Sequence, residues 1–260
     1  MSSEPGSLSS SFGGAAAAYA RHRPDYARAA VRWTLDAASG GRVLDLGAGT
    51  GKLTATLLEV GADVVAVEPD PAMLAELRGA LPTVRALQGS AEQIPLPDDS
   101  VDAVVAGHAM HWFDMAVAGP EIARVLVPGG VLAGLWNVVD DRVDWVGELA
   151  RVGGSAAIGE RDLLSSWRIA TARTHLPKNG QAARFGDLDQ VEFPHDQRHT
   201  AGSLVAKIAT HAGLLVMPEL EREETLNRVR DFLASRPETA RGEFTLPTLT
   251  GVLRVSRLAA

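Results

Sequence analysis

Two carboxylates and a run of alternating glycines are the side chains of this 260-residue chain best suited to holding a small polar molecule. Asp45, Gly47, Gly49 and Gly51 occupy every second position of RVLDLGAGTGK, Arg42 to Lys52, with Ala48 between the first two glycines. Glycine reaches φ > 0 and lets a ligand lie on the backbone with no Cβ in the way, and a helix starting beyond it offers free N–H groups. Downstream stands Glu68, followed by Pro69-Asp70-Pro71. A carboxylate there can accept from both hydroxyls of a ribose, or simply face solvent. A second set lies in GHAMHWFD, Gly107 to Asp114. His111 is a candidate proton acceptor, His108 a neighbour of the bound molecule, and Trp112 a ring that attracts a cation. The same HWF string also reads as packing at a strand-to-helix corner. The HxxH spacing alone does not make a zinc site, because no third ligand stands nearby, so no metal is expected.

The elements around these residues follow from the apolar pattern. Val43 to Leu46 reads as a buried strand, and Leu53, Leu57 and Leu58 return at helical spacing, giving strand, glycine turn and helix. Val64 to Val67 is a second strand ending at Glu68, with a helix over Pro71 to Leu81 and a third strand over Val84 to Gln88. Val101 to Ala106 forms a fourth strand, a helix runs from Asp114 to Val127, and Val131 to Val139 is the fifth strand. Helices are expected over Asp140 to Arg151, Arg161 to Ala172, Thr200 to Val216 and Leu220 to Ala234. Val191 to Phe193 begins the sixth strand, and Phe244 to Leu258 holds the last.

Spacing separates three nucleotide-type readings of the glycine turn. A Walker loop ending at Gly51-Lys52 needs glycine at 46 and a hydroxyl at 53, and both positions are leucine. The dinucleotide pattern GxGxxG meets Lys52 when started at Gly47 and Thr54 when started at Gly49, which leaves a nicotinamide-dependent oxidoreductase as the weaker alternative. DxGxGxG fits without exception. Here the sequence resembles the class I S-adenosylmethionine-dependent methyltransferases. SFGGAAAAYARHRPDY and GSAEQIPLPDDSVDAVV further resemble the type 11 subgroup related to trans-aconitate methyltransferase. A non-catalytic cofactor-binding module of the same fold is a third possibility.

The resemblance implies a Rossmann-like, doubly wound α/β sheet of seven strands, mostly parallel with an antiparallel last strand, plus a helical cap. It implies S-adenosyl-L-methionine as cofactor, leaving S-adenosyl-L-homocysteine. Asp45, Gly47, Ala48, Gly49, Gly51, Glu68, Pro69 and His108 are then cofactor residues. Tyr19 and Arg23 fold over the cofactor, Arg23 pairing with its carboxylate, or else belong to a surface helix. Ser90, Ala91 and Glu92 lie along the adenine edge, where many relatives carry Asp in place of Ser90. His111 is the base if the acceptor arrives protonated. Trp112, Trp136, Asn137, Trp167 and Arg168 are candidates for the acceptor site, although the Trp167-Arg168 pair also suits a structural role.

Composition bounds the rest. The chain carries no cysteine, which excludes disulfides and thiolate chemistry and suits a cytoplasmic protein. A net charge of −7 argues for a small-molecule partner rather than a nucleic acid. No apolar run is long enough for a membrane span. Residues 1–11 are expected to be a disordered leader, followed by one domain over 12–260. Within it, lid helices occupy 12–40, the cofactor core 41–140, cap and helices 141–240, and the last strand 241–260. Acceptor specificity is expected in a cap inserted from Glu160 to Thr200, between strands five and six.

Overall fold

The computed structural model describes residues 16–172 and 185–258. The expected disordered leader, Met1 to Ser11, lies outside the described residues, as do Arg173, His175, Lys178 and Arg184 of the expected cap. Two short helices, α1 (Ala16–His22) and α2 (Arg28–Leu35), flank the expected break at Arg23-Pro24. The alternating core follows as β1 (Arg42–Leu46), α3 (Lys52–Glu59), β2 (Asp63–Glu68), α4 (Pro71–Ala80), β3 (Arg85–Gln88), β4 (Val101–Gly107), α5 (Met115–Val125) and β5 (Leu126–Val139). Beyond it come α6 (Asp144–Gly153), α7 (Trp167–Ala172), β6 (Asp189–Pro194), β7 (Gln197–Thr200), α8 (Ala201–Ile208), α9 (Ala212–Leu215), α10 (Glu219–Ser235), β8 (Glu243–Leu246) and β9 (Thr248–Ser256).

Seven strands form one sheet in the order β3-β2-β1-β4-β5-β9-β6. The first five are parallel, and β9 runs antiparallel between β5 and β6. This is the expected Rossmann-like sheet with its antiparallel last strand. The order reverses between β1 and β4, so the carboxyl ends of those two strands flank the crevice where such sheets bind ligands. Both strands are buried along almost their whole length because helices cover both faces. Leu44, Leu46, Val104 and Ala106 pack with Ile122 of α5 on one side. Their neighbours Val43, Ala103 and Val105 pack with Val31, Leu53 and Leu57 on the other.

The cap has a core of its own, built from Val146 and Leu149 of α6, Ile158, Leu204 and Ile208 of α8, Val229 of α10, and Leu246 of β8. The cap is therefore not confined to the expected insertion between the fifth and sixth strands. Most of its apolar stripe lies after β6, where Leu204, Ile208, Leu226 and Val229 recur at helical spacing. Several boundaries also shift for identifiable reasons. The Thr210 hydroxyl donates to the Lys207 carbonyl at 2.6 Å, and the expected helix over Thr200 to Val216 breaks into α8 and α9 there. Asp162 caps a single 3-10 turn over Glu160–Asp162 by accepting from Gly159 N–H, and a regular helix resumes only at Trp167. Pro247, which has no N–H, separates β8 from β9 where one last strand was expected. Leu126 already pairs with Val101, so α5 stops at Val125 rather than Val127.

Candidate active site

The glycine turn closes as its residue types require. Gly47, Gly49 and Gly51 have φ of 69°, 57° and 86°, the left-handed region that a side chain disfavours. A Cβ on Gly47 would meet that of Ala109 at 2.7 Å, whereas one on Gly49 would project into open space. The turn is tied to β2 by Gly47 N–H and Ala48 N–H, which both donate to the Val67 carbonyl. It is tied further by Gly49 N–H, which donates to Glu68 Oε2 at 2.8 Å. The other oxygen of Glu68 accepts from Asp70 N–H at 2.9 Å. Each oxygen thus keeps one lone pair for a ligand. Burial pushes the Glu68 carboxyl up, against the pull of those two N–H groups.

Glu68 lies in the wall of a cavity of about 460 Å³ at the carboxyl ends of β1, β2 and β4. Of the expected cofactor residues, Tyr19, Gly47, Gly49, Glu68, Pro69, Ser90, Ala91, Glu92 and His108 line it. Trp112, expected on the acceptor side, lines it too. Asp45, Ala48, Gly51 and Arg23 do not. Asp45 is fully buried and works through the turn: its Oδ2 accepts from Thr54 Oγ1 at 2.6 Å, while Oδ1 is buried with no partner. Burial, helped by the nearby Glu68 charge, pushes the Asp45 carboxyl up to about 7. Gly51 caps α3. Sequence reasoning missed Met73, Ala109 and Phe113 in the same wall. The last two sit inside the GHAMHWFD string, so the signal was present there.

A second cavity, about 250 Å³, lies under the cap and shares Tyr19, His108 and Trp112 with the first. Arg23 and His111 line it from the core side, and Arg161, Asp162 and His211 from the cap. A narrow extension of about 40 Å³ reaches Lys207. None of Arg161, Asp162, Lys207 and His211 was singled out as a site residue. Lys207 follows Leu204 by one helical turn on the buried stripe, which was the available clue. Arg23 reaches across from the lid, its Nε donating to Thr210 Oγ1 at 3.0 Å and its Nη2 to the Thr210 carbonyl at 3.3 Å.

The histidines take roles set by their partners. His108 sits at φ 50°, and its Nε2 accepts from Asn137 N–H at 2.8 Å, which assigns the ring proton to Nδ1. His111 Nδ1 accepts from Trp136 Nε1–H at 3.4 Å, which assigns its proton to Nε2. Burial holds His111 down at about 3. His111 therefore offers an N–H donor to the cavity, and in this arrangement its proton-accepting nitrogen faces Trp136 rather than an acceptor.

Three acceptor-site expectations are also corrected. Trp136 is 0% exposed and spends its one donor on His111, because β5 runs through the middle of the sheet. Trp167 is likewise 0% exposed, with its Nε1 donating to Glu192 at 3.0 Å. Arg168 pairs with the same Glu192 on the outer face of β6, away from both cavities. Asn137 does line the narrow extension toward Lys207, and it is also a clamp: its Nδ2 donates to the Asp25 carbonyl and its Oδ1 accepts from Thr250 Oγ1, each at 2.8 Å. Thr250 Oγ1 in turn accepts from Ala27 N–H at 3.0 Å, so the lid is pinned to the sheet on both sides of Tyr26.

The geometry agrees with what the chain is similar to. Residues 44–134 match the family model described as "Methyltransferase domain", type 11. The uncharacterized methyltransferase Rv3342 of Mycobacterium tuberculosis is 44% identical over 250 residues, covering 96% of each chain. The chain belongs to the methyltransferases, with its type 11 domain over residues 44–134. The uncharacterized methyltransferase-like protein C25B8.10 of Schizosaccharomyces pombe is 33% identical over 210 residues, 79% of each chain. A solved structure from Anaeromyxobacter dehalogenans, described as a candidate type II methyltransferase, shares the fold with a TM-score of 0.59 at 24% identity. It covers 91% of this chain and 97% of that one. The methyltransferase core of this chain is thus the part that carries the glycine turn, Glu68 and the β4 corner. Among its described residues no helix is long and apolar enough to cross a membrane, and no cluster of His, Asp or Glu is arranged to hold a metal.

Proposed function

We propose that this methyltransferase takes its methyl group from S-adenosylmethionine, held in the larger cavity, and passes it to a small molecule held under the cap. The observation that carries this reading is the junction of the two cavities at Tyr19, His108 and Trp112. Donor and acceptor could meet there, and positioning them in line is most of what a methyl transfer asks of a protein. The residues fit the cofactor. Glu68 keeps two lone pairs for ribose hydroxyls, Gly49 leaves open space over the turn, and Ser90 and Ala91 give a small wall for a purine. The partnerless, buried Asp45 Oδ1 suits a bridging water behind the turn. When bound, the cofactor supplies an electrophilic methyl on a sulfonium, and Trp112 is placed for its ring to favour that charge.

A small acceptor fits an enclosed cavity of this size and a chain with a net charge of −7. The absence of cysteine fits a cytoplasmic setting. Calorimetric titration with S-adenosylhomocysteine, NAD and NADP tests the reading. S-adenosylhomocysteine should bind in the micromolar range or tighter, with no heat from either dinucleotide. Binding of a dinucleotide alone would overturn it in favour of the oxidoreductase alternative.

A further inference from the structure

We propose that Asp162 receives the proton of a hydroxyl acceptor bound in the cap cavity, so that the substrate class is an alcohol, phenol or enol. This rests on the methyl-transfer reading above and deepens it. The argument starts from what the cavity wall offers to a proton. His108 and His111 have each used their lone-pair nitrogen on Asn137 N–H and Trp136 Nε1–H, and both present an N–H. His211 Nε2 has no hydrogen bond, but burial and the nearby Arg23 and Lys207 charges hold its ring well below the usual imidazole range, which makes it a poor proton acceptor. Arg23 and Arg161 are permanent cations. The other polar side chains of the wall are the Tyr19 phenol, the Ser155 alcohol and the Trp112 indole, none of them a carboxylate or an imidazole.

Asp162 is what remains. Its Oδ2 is held by Gly159 N–H at 3.0 Å, while Oδ1 has no hydrogen bond within the described residues. The chain fixes one oxygen of this carboxylate and leaves the other for whatever occupies the cavity. Its surroundings also narrow the acceptor. Arg23 and Arg161 face it in the cavity, Lys207 from the narrow extension, and His211 Nδ1 lies 4.0 Å from Oδ2. A hydroxyl bound beside these cations is made more acidic and still needs a base to become a nucleophile, whereas a neutral amine already carries a free lone pair and has no use for one. Burial raises the Asp162 carboxyl despite the three cations, which brings it toward the range where a carboxylate serves as a base.

The step balances. The acceptor O–H bond breaks, the proton goes to Asp162 Oδ1, and the oxygen electron pair forms the new bond to the methyl carbon. The pair of the broken S–CH₃ bond returns to sulfur, which becomes a neutral thioether. His111 Nε2–H is placed to hold the acceptor by a neighbouring oxygen.

The test reads the carboxyl directly. Protein carrying ¹³C at the aspartate carboxyls is saturated with S-adenosylhomocysteine and titrated with acid, and Asp162→Asn identifies the Asp162 signal by its loss. Its midpoint should lie above the ordinary carboxylate range and should shift on adding phenol but not anisole, which has no proton to give. Equal responses to phenol and anisole, or none to either, would overturn the proposal. Failure of S-adenosylhomocysteine to bind would instead remove the methyl-transfer reading. A second measurement uses radiolabelled S-adenosylmethionine with libraries of phenols, alcohols and amines. Asp162→Asn should lower kcat on hydroxyl acceptors by about 10²–10⁴-fold and flatten the acid limb of the pH profile. S-adenosylhomocysteine affinity should be unchanged, and Asp162→Glu should recover part of the rate. Methylation confined to amines, or full kcat in Asp162→Asn, would also overturn it.

Discussion

Gly49 N–H donates to Glu68 Oε2 at 2.8 Å, so the turn after β1 and the carboxylate at the end of β2 form a single unit. Removing the carboxylate does more than delete contacts to a ribose, because Gly49 and Asp70 both lose their acceptor. Glu68→Ala should weaken S-adenosylhomocysteine binding by about 1.5–3 kcal/mol, the range for hydrogen bonds to a charged group. Glu68→Gln should lose less, since its amide oxygen can still accept from Gly49. Titration calorimetry distinguishes the two, and affinity unchanged in both variants would falsify the ribose role.

Asp45 sets a pH dependence of stability whose sign is opposite to the usual one for an aspartate. Its carboxyl is raised to about 7 in the folded chain, above its ordinary value of 3.8. Between those values the native state binds the proton that the unfolded state has released, so this group's contribution to stability falls as pH rises from about 4 to about 7. Asp45→Asn should abolish that slope and make the ligand-free protein more stable at pH 8 by about 1–3 kcal/mol. The same variant should bind the cofactor less tightly if Oδ1 reaches it through a bridging water. Thermal melts across pH, paired with binding titrations, test both halves. A wild-type melting curve that matches Asp45→Asn at every pH would show that the buried carboxyl is not raised.

The core was legible because its elements repeat a strong local pattern. Val43 to Leu46 and Val101 to Ala106 are apolar runs bounded by turn residues, and three glycines at alternate positions leave one backbone solution. Glu68 was legible for the same reason, being fixed by the strand before it and the proline after it. The cap was not. Asp162 and His211 are brought together by the packing of α6 against α8 and α10, which no local spacing encodes. Trp136 misled because an aromatic near a strand end, and Trp167 because an aromatic opening a cap helix, is equally suited to a pocket wall and to a core. Only strand order decides between these, since β5 and β9 are interior strands and bury both rings.

The lid clamp gives a prediction independent of catalysis. Asn137 and Thr250 hold Asp25 and Ala27 by one hydrogen bond each and are joined to each other by a third, and the Asn137 backbone N–H holds His108. Asn137→Ala takes the acceptor from the buried Thr250 O–H and leaves the Asp25 carbonyl with His195 Nε2 alone, and should cost about 1–3 kcal/mol in denaturant unfolding. Amide exchange in α1 and at Ala27 should quicken, while β1 and β4 keep their protection. If Ala27 exchanges at the wild-type rate in this variant, the lid is held by the Arg23 contact to Thr210 rather than by the sheet.

His111 is best tested by separating its two nitrogens. Nδ1 satisfies the indole N–H of a fully buried Trp136, and Nε2–H faces the cap cavity. Gln places its amide near the Nε2 position and Asn places its own near Nδ1. His111→Gln should therefore keep the cavity donor, and with it most of the turnover on a hydroxyl acceptor. His111→Ala should lose the donor and leave the Trp136 N–H buried and unpaired, at about 1–3 kcal/mol of stability. A general base at this position makes a different forecast, with Gln as inactive as Ala and the acid limb of the pH–rate profile lost in both. Because burial holds the ring down at about 3, the native state binds fewer protons than the unfolded chain between about pH 3 and 6.5. Stability should thus rise with pH across that window in the wild type, and less steeply in either variant. Chemical denaturation at acid and neutral pH reads that slope. Equal slopes in wild type and both variants would mean that His111 is protonated in the fold and that the tautomer assigned from Trp136 is wrong.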